Sequence, residues 1–204
     1  NTSSQGTFDK FFVLQAINEL RHIVSSPELD NNKIISSKKE VLIENVIEAI
    51  ENDHKVLIFV NYLSSIESIC NSLKENKIKF LKMTGQTKDR QSLVDKFQSD
   101  NRYKVFVMTL KTGGVGLNLV SADTIFIYDP WWNKTVENQA IDRAYRLGQD
   151  KTVFAYKMIM RNTIEEKILK LQEIKDKLLD DLISEDNLST KNLSKNDIEF
   201  ILGN

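Results

Sequence analysis

The sequence is short of several things, and each shortage excludes something. It has one cysteine, Cys70, among 204 residues, so no disulfide can form within the chain and a reducing compartment suits it. Cys70 falls in a predicted amphipathic helix and reads as a buried, inert thiol. No apolar run approaches the roughly 18 residues a membrane span requires, and no signal peptide is recognisable, so no membrane role is expected. Neither sign of charge is in excess: 28 Lys and Arg stand against 29 Asp and Glu, a net charge of −1. That excludes a passive basic coat protein and confines any nucleic-acid contact to local clusters. The phosphate-loop pattern GxxxxGK(S/T), the dinucleotide pattern GxGxxG and the acidic DExx pattern are all absent. There is no internal repeat. The first residue is Asn1 rather than methionine, which points to a piece of a longer chain.

What is present is ordinary for a globular protein. Hydrophobic residues make up 41% and charged residues 28%, enough for one sizeable core and a helical appendage. After a polar start, Phe11, Phe12, Leu14, Ile17, Leu20, Ile23 and Val24 recur at helical spacing, and Pro27 follows. The stretch Glu28 to Ser36 is polar and reads as a linker. Ser37 to Glu51 is amphipathic, with Val41, Leu42, Val46, Ile47 and Ile50 inward. KVLIFV, Lys55 to Val60, is short, continuous and β-branched, as a strand covered on both faces is. Helices are predicted over Leu63 to Glu75 and Lys88 to Asp100. Strands are predicted over Lys79 to Met83, Lys104 to Met108, Thr124 to Tyr128 and Val153 to Ile159. This alternation specifies a parallel sheet that binds ligands beyond the carboxyl ends of its strands.

From Thr163 the character changes. TIEE carries a capping-box pattern, Thr163 to Glu166, and Ile164, Ile168, Leu171, Leu178 and Leu182 make a helical stripe to about Ser184. It reads as a brace lying back over the preceding domain, with partner binding or regulation as the alternative. A last short helix is predicted after Ser194.

Four stretches carry chemistry. QAIDRAYRLGQ, Gln139 to Gln149, read as a helix, puts Gln139, Arg143 and Arg146 on one face. Ala140, Ile141, Ala144 and Leu147 are then placed to pack. Two guanidiniums one turn apart repel unless an anion lies between them, and phosphate matches their planar fork. The alternative is a wet face on which Asp142 or Asp150 neutralises them. Upstream, TLKTGGVGLNL, Thr109 to Leu119, holds Gly113, Gly114 and Gly116 in a chain with only 7 glycines. Such a turn after a buried strand lets backbone amides approach a phosphate, and a tight turn without a ligand is the plainer reading. DPWWN, Asp129 to Asn133, holds both tryptophans. One is expected to pack and the other to stay partly exposed for stacking on nucleic acid; alternatively both cover the rim. TGQT, Thr84 to Thr87, is a turn after the second predicted strand.

From Lys104 to Arg161 the glycine, aromatic and arginine motifs, in that order, resemble the second RecA-like lobe of the Swi/Snf helicase-like ATPases, in helicase superfamily two, and weaker similarity, TGQT included, covers most of the rest. LRHIVSSP is similar to the run that precedes that lobe. The resemblance implies an α/β fold: a RecA-like three-layer domain with a mainly parallel central sheet, plus a helical N-terminal extension and a long C-terminal brace helix. Residues 1–36 would be the extension and linker, 37–162 the lobe, and 163–204 the brace and terminal helix. ATP with Mg2+ would lie between two lobes, held mainly by a first lobe that this sequence lacks. Arg143 and Arg146 would be arginine fingers, with Gln139 positioning. Gly114, Gly116 and Asn118 would lie near the nucleotide. Thr109, Lys111, Thr112, Trp132, Gly85 and Thr87 would face double-stranded DNA.

Three departures from the family pattern stand out: Thr84 replaces an acidic residue, Lys134 a proline, and Asn61-Tyr62 a Ser-Gln pair. No metal ligands are expected within the chain. The implied protein is an ATP-hydrolysing DNA translocase, bacterial cytoplasmic or eukaryotic nuclear. The fragment alone is expected to be inactive and monomeric. The rival readings are a non-catalytic nucleic-acid-binding module, an RNA helicase lobe of the same superfamily, and an unrelated phosphate-sensing α/β domain.

Overall fold

The computed structural model describes residues 3–29, 34, 36–113, 116–181, 196 and 200. The chain runs through helix α1 (Ser3–Ser25), a 3-10 turn (Pro27–Leu29), α2 (Ser37–Glu51), strand β1 (Val56–Val60) and α3 (Leu63–Glu75). Then come β2 (Phe80–Met83), α4 (Arg90–Ser99), β3 (Val105–Thr109) and the one-turn α5 (Leu110–Gly113). β4 (Thr124–Ile127), α6 (Lys134–Ile141), β5 (Phe154–Lys157) and α7 (Ile164–Asp181) complete it. Every predicted strand is present, and α2 and α3 keep their predicted bounds. The helix predicted over Gln139 to Gln149 is not formed as such. Leu182 and most of the stretch after Ser194 lie outside the described residues, as do the side chains of Phe11, Leu14 and Leu178.

The strands form one sheet in the order β2-β3-β1-β4-β5, and every pairing is parallel. Successive side chains on a strand point to opposite faces, so β1 to β4 each feed two cores. Val56, Ile58 and Val60 of β1 pack with Leu42 and Val46 of α2 and Ile66, Ile69 and Leu73 of α3. Leu57 and Phe59 pack on the other side with Val94 and Phe97 of α4 and with Ala140 of α6. This double covering is why VLIFV is apolar throughout. Chain order reverses at β1, with β3 on one side and β4 on the other, which is where such sheets hold ligands. β5 is an edge strand, and Phe154 and Tyr156 are half exposed on it.

Two helices bury other residues than periodicity suggests. On α1 the buried side carries Ile17, Arg21 and Ser25, while Phe12, Leu20 and Ile23 are exposed. On α2, Ile43 and Ala49 are inside and Val41 is exposed. The capping box is also offset by one residue. Thr163 Oγ1 accepts from Glu165 N, and Glu166 reaches back to the amide of Asn162 rather than Thr163.

Two buried carboxylates fasten the layers. Lys38 Nζ of α2 lies 2.6 Å from Glu165 Oε1 of α7, with both side chains 2% exposed. Burial raises the Glu165 pKa against the pull of Lys38. Replacing one partner of such a pair strands the other charge. Lys38→Met should therefore cost about 3–5 kcal/mol in urea unfolding, and Lys38→Met with Glu165→Leu should recover most of it.

Asp123, just before β4, accepts from the Lys55 amide and lies 3.0 Å from His54 Nδ1 and 2.9 Å from Lys151 Nζ. Burial pushes its carboxyl up, but bonding to His54 and Lys151 outweighs this and holds the pKa below its ordinary value. A depressed carboxylate stabilises the fold fully above its unfolded pKa of about 4, and less as pH falls through the lower folded value. Unfolding free energy should thus drop on the acid side, and Asp123→Asn should flatten that drop while lowering stability at neutral pH.

Candidate functional site

The motifs picked out in the sequence gather beyond the carboxyl ends of β2, β3 and β4. The aromatic turn after β4 is the most tightly held. Tyr128 donates its hydroxyl to Ser25 O at 2.9 Å, tying the strand end to α1. Asp129 is buried; it accepts from Ser25 Oγ and, at 2.8 Å, from the Asn61 amide at the end of β1. Asn61 Nδ2 returns a bond of 2.6 Å to Asp129 O. Pro130 O accepts from Arg21 Nη2 at 2.7 Å.

Trp131 and Trp132 stack on each other, ring centroids 4.0 Å apart and 28° from parallel. Arg21, only 2% exposed, sets its guanidinium 4.8 and 4.9 Å from the two indole centroids and 5.5 Å from that of Tyr62. Burial lowers the Arg21 pKa, while the surrounding Tyr62, Asp129, Glu165 and Glu137 work in the other direction. A desolvated cation on aromatic faces is a strong contact of its kind. The expected division into one packed and one exposed tryptophan gives way to a half-buried pair, Trp131 lying against the core.

The glycine turn is built around two close approaches. Thr109 and Thr112 are buried, and their hydroxyls lie 2.6 Å apart. Lys111 between them is exposed, so of these three it alone presents its side chain to solvent. A Cβ on Gly113 would fall 2.3 Å from Phe59 Cε1, so the residue must be glycine for α5 to sit on β1. Gly116 has φ +51° and is exposed, as is Asn118, whose carbonyl accepts from Gln98 Nε2 at 2.7 Å. Gly114 lies outside the described residues.

The TGQT turn is pre-formed. Thr84 N donates to Thr87 Oγ1 at 3.0 Å, and Arg90 Nη2 holds Gly85 O at 3.3 Å. A Cβ on Gly85 would meet nothing within 4 Å, so the space over this turn is open to a partner.

The arginine stretch corrects the sequence reading. α6 carries the exposed Gln139 and stops at Ile141. Beyond it the bonding turns irregular: Arg143 N and Ala144 N bond to the third residue back, Tyr145 N to the fourth and Arg146 N to the second. The reason is tertiary. Leu119 N takes Arg143 O at 2.9 Å, and Gln149 Nε2 reaches Ala144 O as well as Val120 O and Ala122 O. The Arg143 and Ala144 carbonyls would otherwise have accepted the next turn of helix. Gly148, at φ +100°, then reverses the chain. Gln139, Arg143 and Arg146 therefore do not share one helical face. Ala140 and Ala144 are buried as expected, but Leu147 is fully exposed. Arg143 is half-buried. Arg146 is exposed, and its side chain joins no hydrogen bond or ion pair among the described residues, Asp142 and Asp150 included.

The stitch from Leu119 to Arg143 joins the end of the glycine segment, just after Gly116 and Asn118, to the arginine segment. Among the described residues, no group of three or more His, Cys, Asp and Glu comes together to hold a metal. No helix there is long and apolar enough to cross a membrane. Sequence reasoning missed Arg21, Asp129 and Gln149. Their one signal is position: a polar residue on a buried helical stripe, at a strand tip, or after a terminating glycine.

Comparison with known proteins agrees with the fold. Residues 37–148 match the family model described as the helicase conserved C-terminal domain. An uncharacterised ATP-dependent helicase of Mycoplasma pneumoniae is 39% identical, over 86% of this chain and 17% of its own length. The putative ATP-dependent helicase/translocase YwqA of Bacillus subtilis is 36% identical, over 97% of this chain and 22% of its own. The chain thus spans about a fifth of the length of these curated relatives. Among solved structures, the SWI2/SNF2 ATPase core domain of Sulfolobus solfataricus superposes with a TM-score of 0.72 at 30% identity, covering 94% of this chain and 40% of that one. The C-terminal part of the Fun30 ATPase domain gives 0.66 at 30% identity, covering 80% and 51%.

Arg21→Ala should unfold at lower denaturant, by about 2–4 kcal/mol, because it empties a buried site and orphans Pro130 O. Tryptophan emission should shift to the red as the stacked pair opens, and Arg21→Lys should restore neither.

Proposed function

The chain belongs to the Swi/Snf family of helicase-like ATPases as its C-terminal RecA-like lobe, and on that premise we propose that it is the second motor lobe of a translocase on double-stranded DNA. The lobe is taken as residues 37–162, with α1 leading in from the preceding lobe and residues 163–204 as the brace.

In this reading the strand-tip surface closes on the triphosphate of ATP, which the first lobe holds together with Mg2+. Arg146 and Arg143 supply positive charge to the phosphoryl group in transfer, with Gln139 nearby to position. The observation that carries this is Arg146 itself. It is an exposed guanidinium whose side chain makes no bond among the described residues, on a turn stitched to the glycine segment. An anion is the partner it lacks. An arginine so placed contributes about 10³–10⁵ in rate. Gly116 and Asn118, both exposed, are assigned to the nucleotide side, and Gly114 is assigned there by its place in the motif alone.

DNA is assigned to the neighbouring turns. Lys111 meets a phosphate directly, and Thr109 and Thr112 shape the turn that presents it. Gly85, with open space over its Cα, lets a strand approach, and Thr87 holds that turn in shape. Trp132 contributes an aromatic face. With net charge −1, binding depends on these local groups and on the other lobe. Alternate closing and opening of the cleft then moves two DNA-gripping lobes past one another.

The test uses the full-length ATPase. Arg146→Ala should lower kcat by about 10³ while half-saturating DNA stays unchanged, and Arg146→Lys should not restore the rate. Hydrolysis at the parent rate by Arg146→Ala, or by this lobe alone, would overturn the assignment.

A further inference from the structure

The peptide of Trp131 sits in a closed ring of side chains that the mechanism above does not use. Trp131 N donates to Glu137 Oε1 of α6 at 2.7 Å. The other oxygen of that fully buried carboxylate, Oε2, faces Lys157 Nζ of β5 at 2.5 Å. Lys157 Nζ also donates to Gln172 Oε1 of α7 at 2.9 Å. Gln172 Nε2 closes the ring by donating to Trp131 O. The amide orientation follows from chemistry: an ammonium needs the oxygen and a carbonyl needs the nitrogen.

From this ring we infer that Gln172 and Lys157 are positioning residues for the DNA-facing aromatic turn. The inference rests on the DNA-motor reading given above. Trp132 stacks on Trp131, so whatever fixes the Trp131 peptide fixes both indoles. No member of the ring other than Trp131 belongs to the turn. Three separate elements hold it, and one of them is the C-terminal helix.

Docking of α7 alone does not require this arrangement. Ile168 and Leu171 already bury its apolar side, and Glu165 ties its first turn to Lys38. Replacing buried ionic groups by apolar ones of similar volume is often neutral for stability. What the ring supplies is a fixed direction for the two peptide groups that flank the Trp131 Cα, and through them a fixed attitude of the indoles towards DNA. α7 thereby acts on DNA affinity from behind the turn.

Two substitutions separate positioning from anchoring. Gln172→Leu loses both bonds. Gln172→Glu keeps the acceptor for Lys157, and strengthens it by charge, but has no donor for Trp131 O. If Gln172 only anchors α7, Gln172→Glu lowers stability at most and leaves half-saturating DNA and tryptophan emission at wild type. If it positions the turn, both variants shift alike. In the full-length ATPase, we expect the DNA concentration for half-maximal stimulation to rise about fivefold to tenfold in both, the worth of one buried hydrogen bond. The rate at saturating DNA should stay within about twofold, as expected when uniform binding is lost. Tryptophan emission should move in both.

Wild-type half-saturation and emission in Gln172→Glu would overturn the inference and leave the motor reading standing. Failure of DNA to stimulate the wild-type enzyme would overturn the motor reading, and this inference with it.

Discussion

One carboxylate aims everything at the strand tips. Asp129 lies where β4 ends, buried, and it carries no paired cation at hydrogen-bond distance among the described residues. It is satisfied by a hydroxyl from α1 and an amide from the end of β1. Breaking either leaves a buried polar group unmet, at about 1–3 kcal/mol each. The effect is geometric as much as energetic. Three segments far apart in sequence, around Ser25, Asn61 and Asp129, meet at one side chain, and Pro130 to Trp132 can leave the sheet in only one direction. Without it, Arg21 would have no fixed indoles to lie against.

A polar interior follows from that start. Arg21 comes in from α1, Glu137 from α6, Lys157 from β5 and Gln172 from α7, and all of them converge on a few residues of turn. The helix before the lobe and the helix after it therefore grip the same loop from two sides. Preorganisation of this kind is what a binding turn needs if it is not to lose affinity to its own disorder. The two best-defined glycines show the contrast within the site. Gly113 is small because the protein's own Phe59 fills the space, whereas Gly85 is small with nothing of the protein near it.

The sheet was legible because it follows from burial alone. Continuous apolar runs such as VLIFV and VFVMT can only be strands covered on both sides, and their spacing forces parallel pairing. The motifs were legible as positions at strand ends. The arginine stretch was not legible as a conformation. Periodicity from Gln139 to Leu147 is sound for a helix, but it cannot register that Leu119 and Gln149 compete for the carbonyls. Nor can it see that Gly148 ends the run. α1 failed for a related reason: Arg21 occupies the buried stripe, which leaves Leu20 and Ile23 outside. Glu137, Lys157 and Gln172 look like surface residues in any sequence, and only the fold puts them around Trp131.

The far side of the sheet carries a different liability. β5 ends the stack of strands with one row of backbone donors and acceptors unclaimed by any described strand, beside Phe154 and Tyr156. Such a border invites a second molecule to zip onto it. Its length of four residues and the exposed Lys151 just upstream blunt that tendency without removing it. Such pairing is second order in the molecule, so a more concentrated preparation favours it.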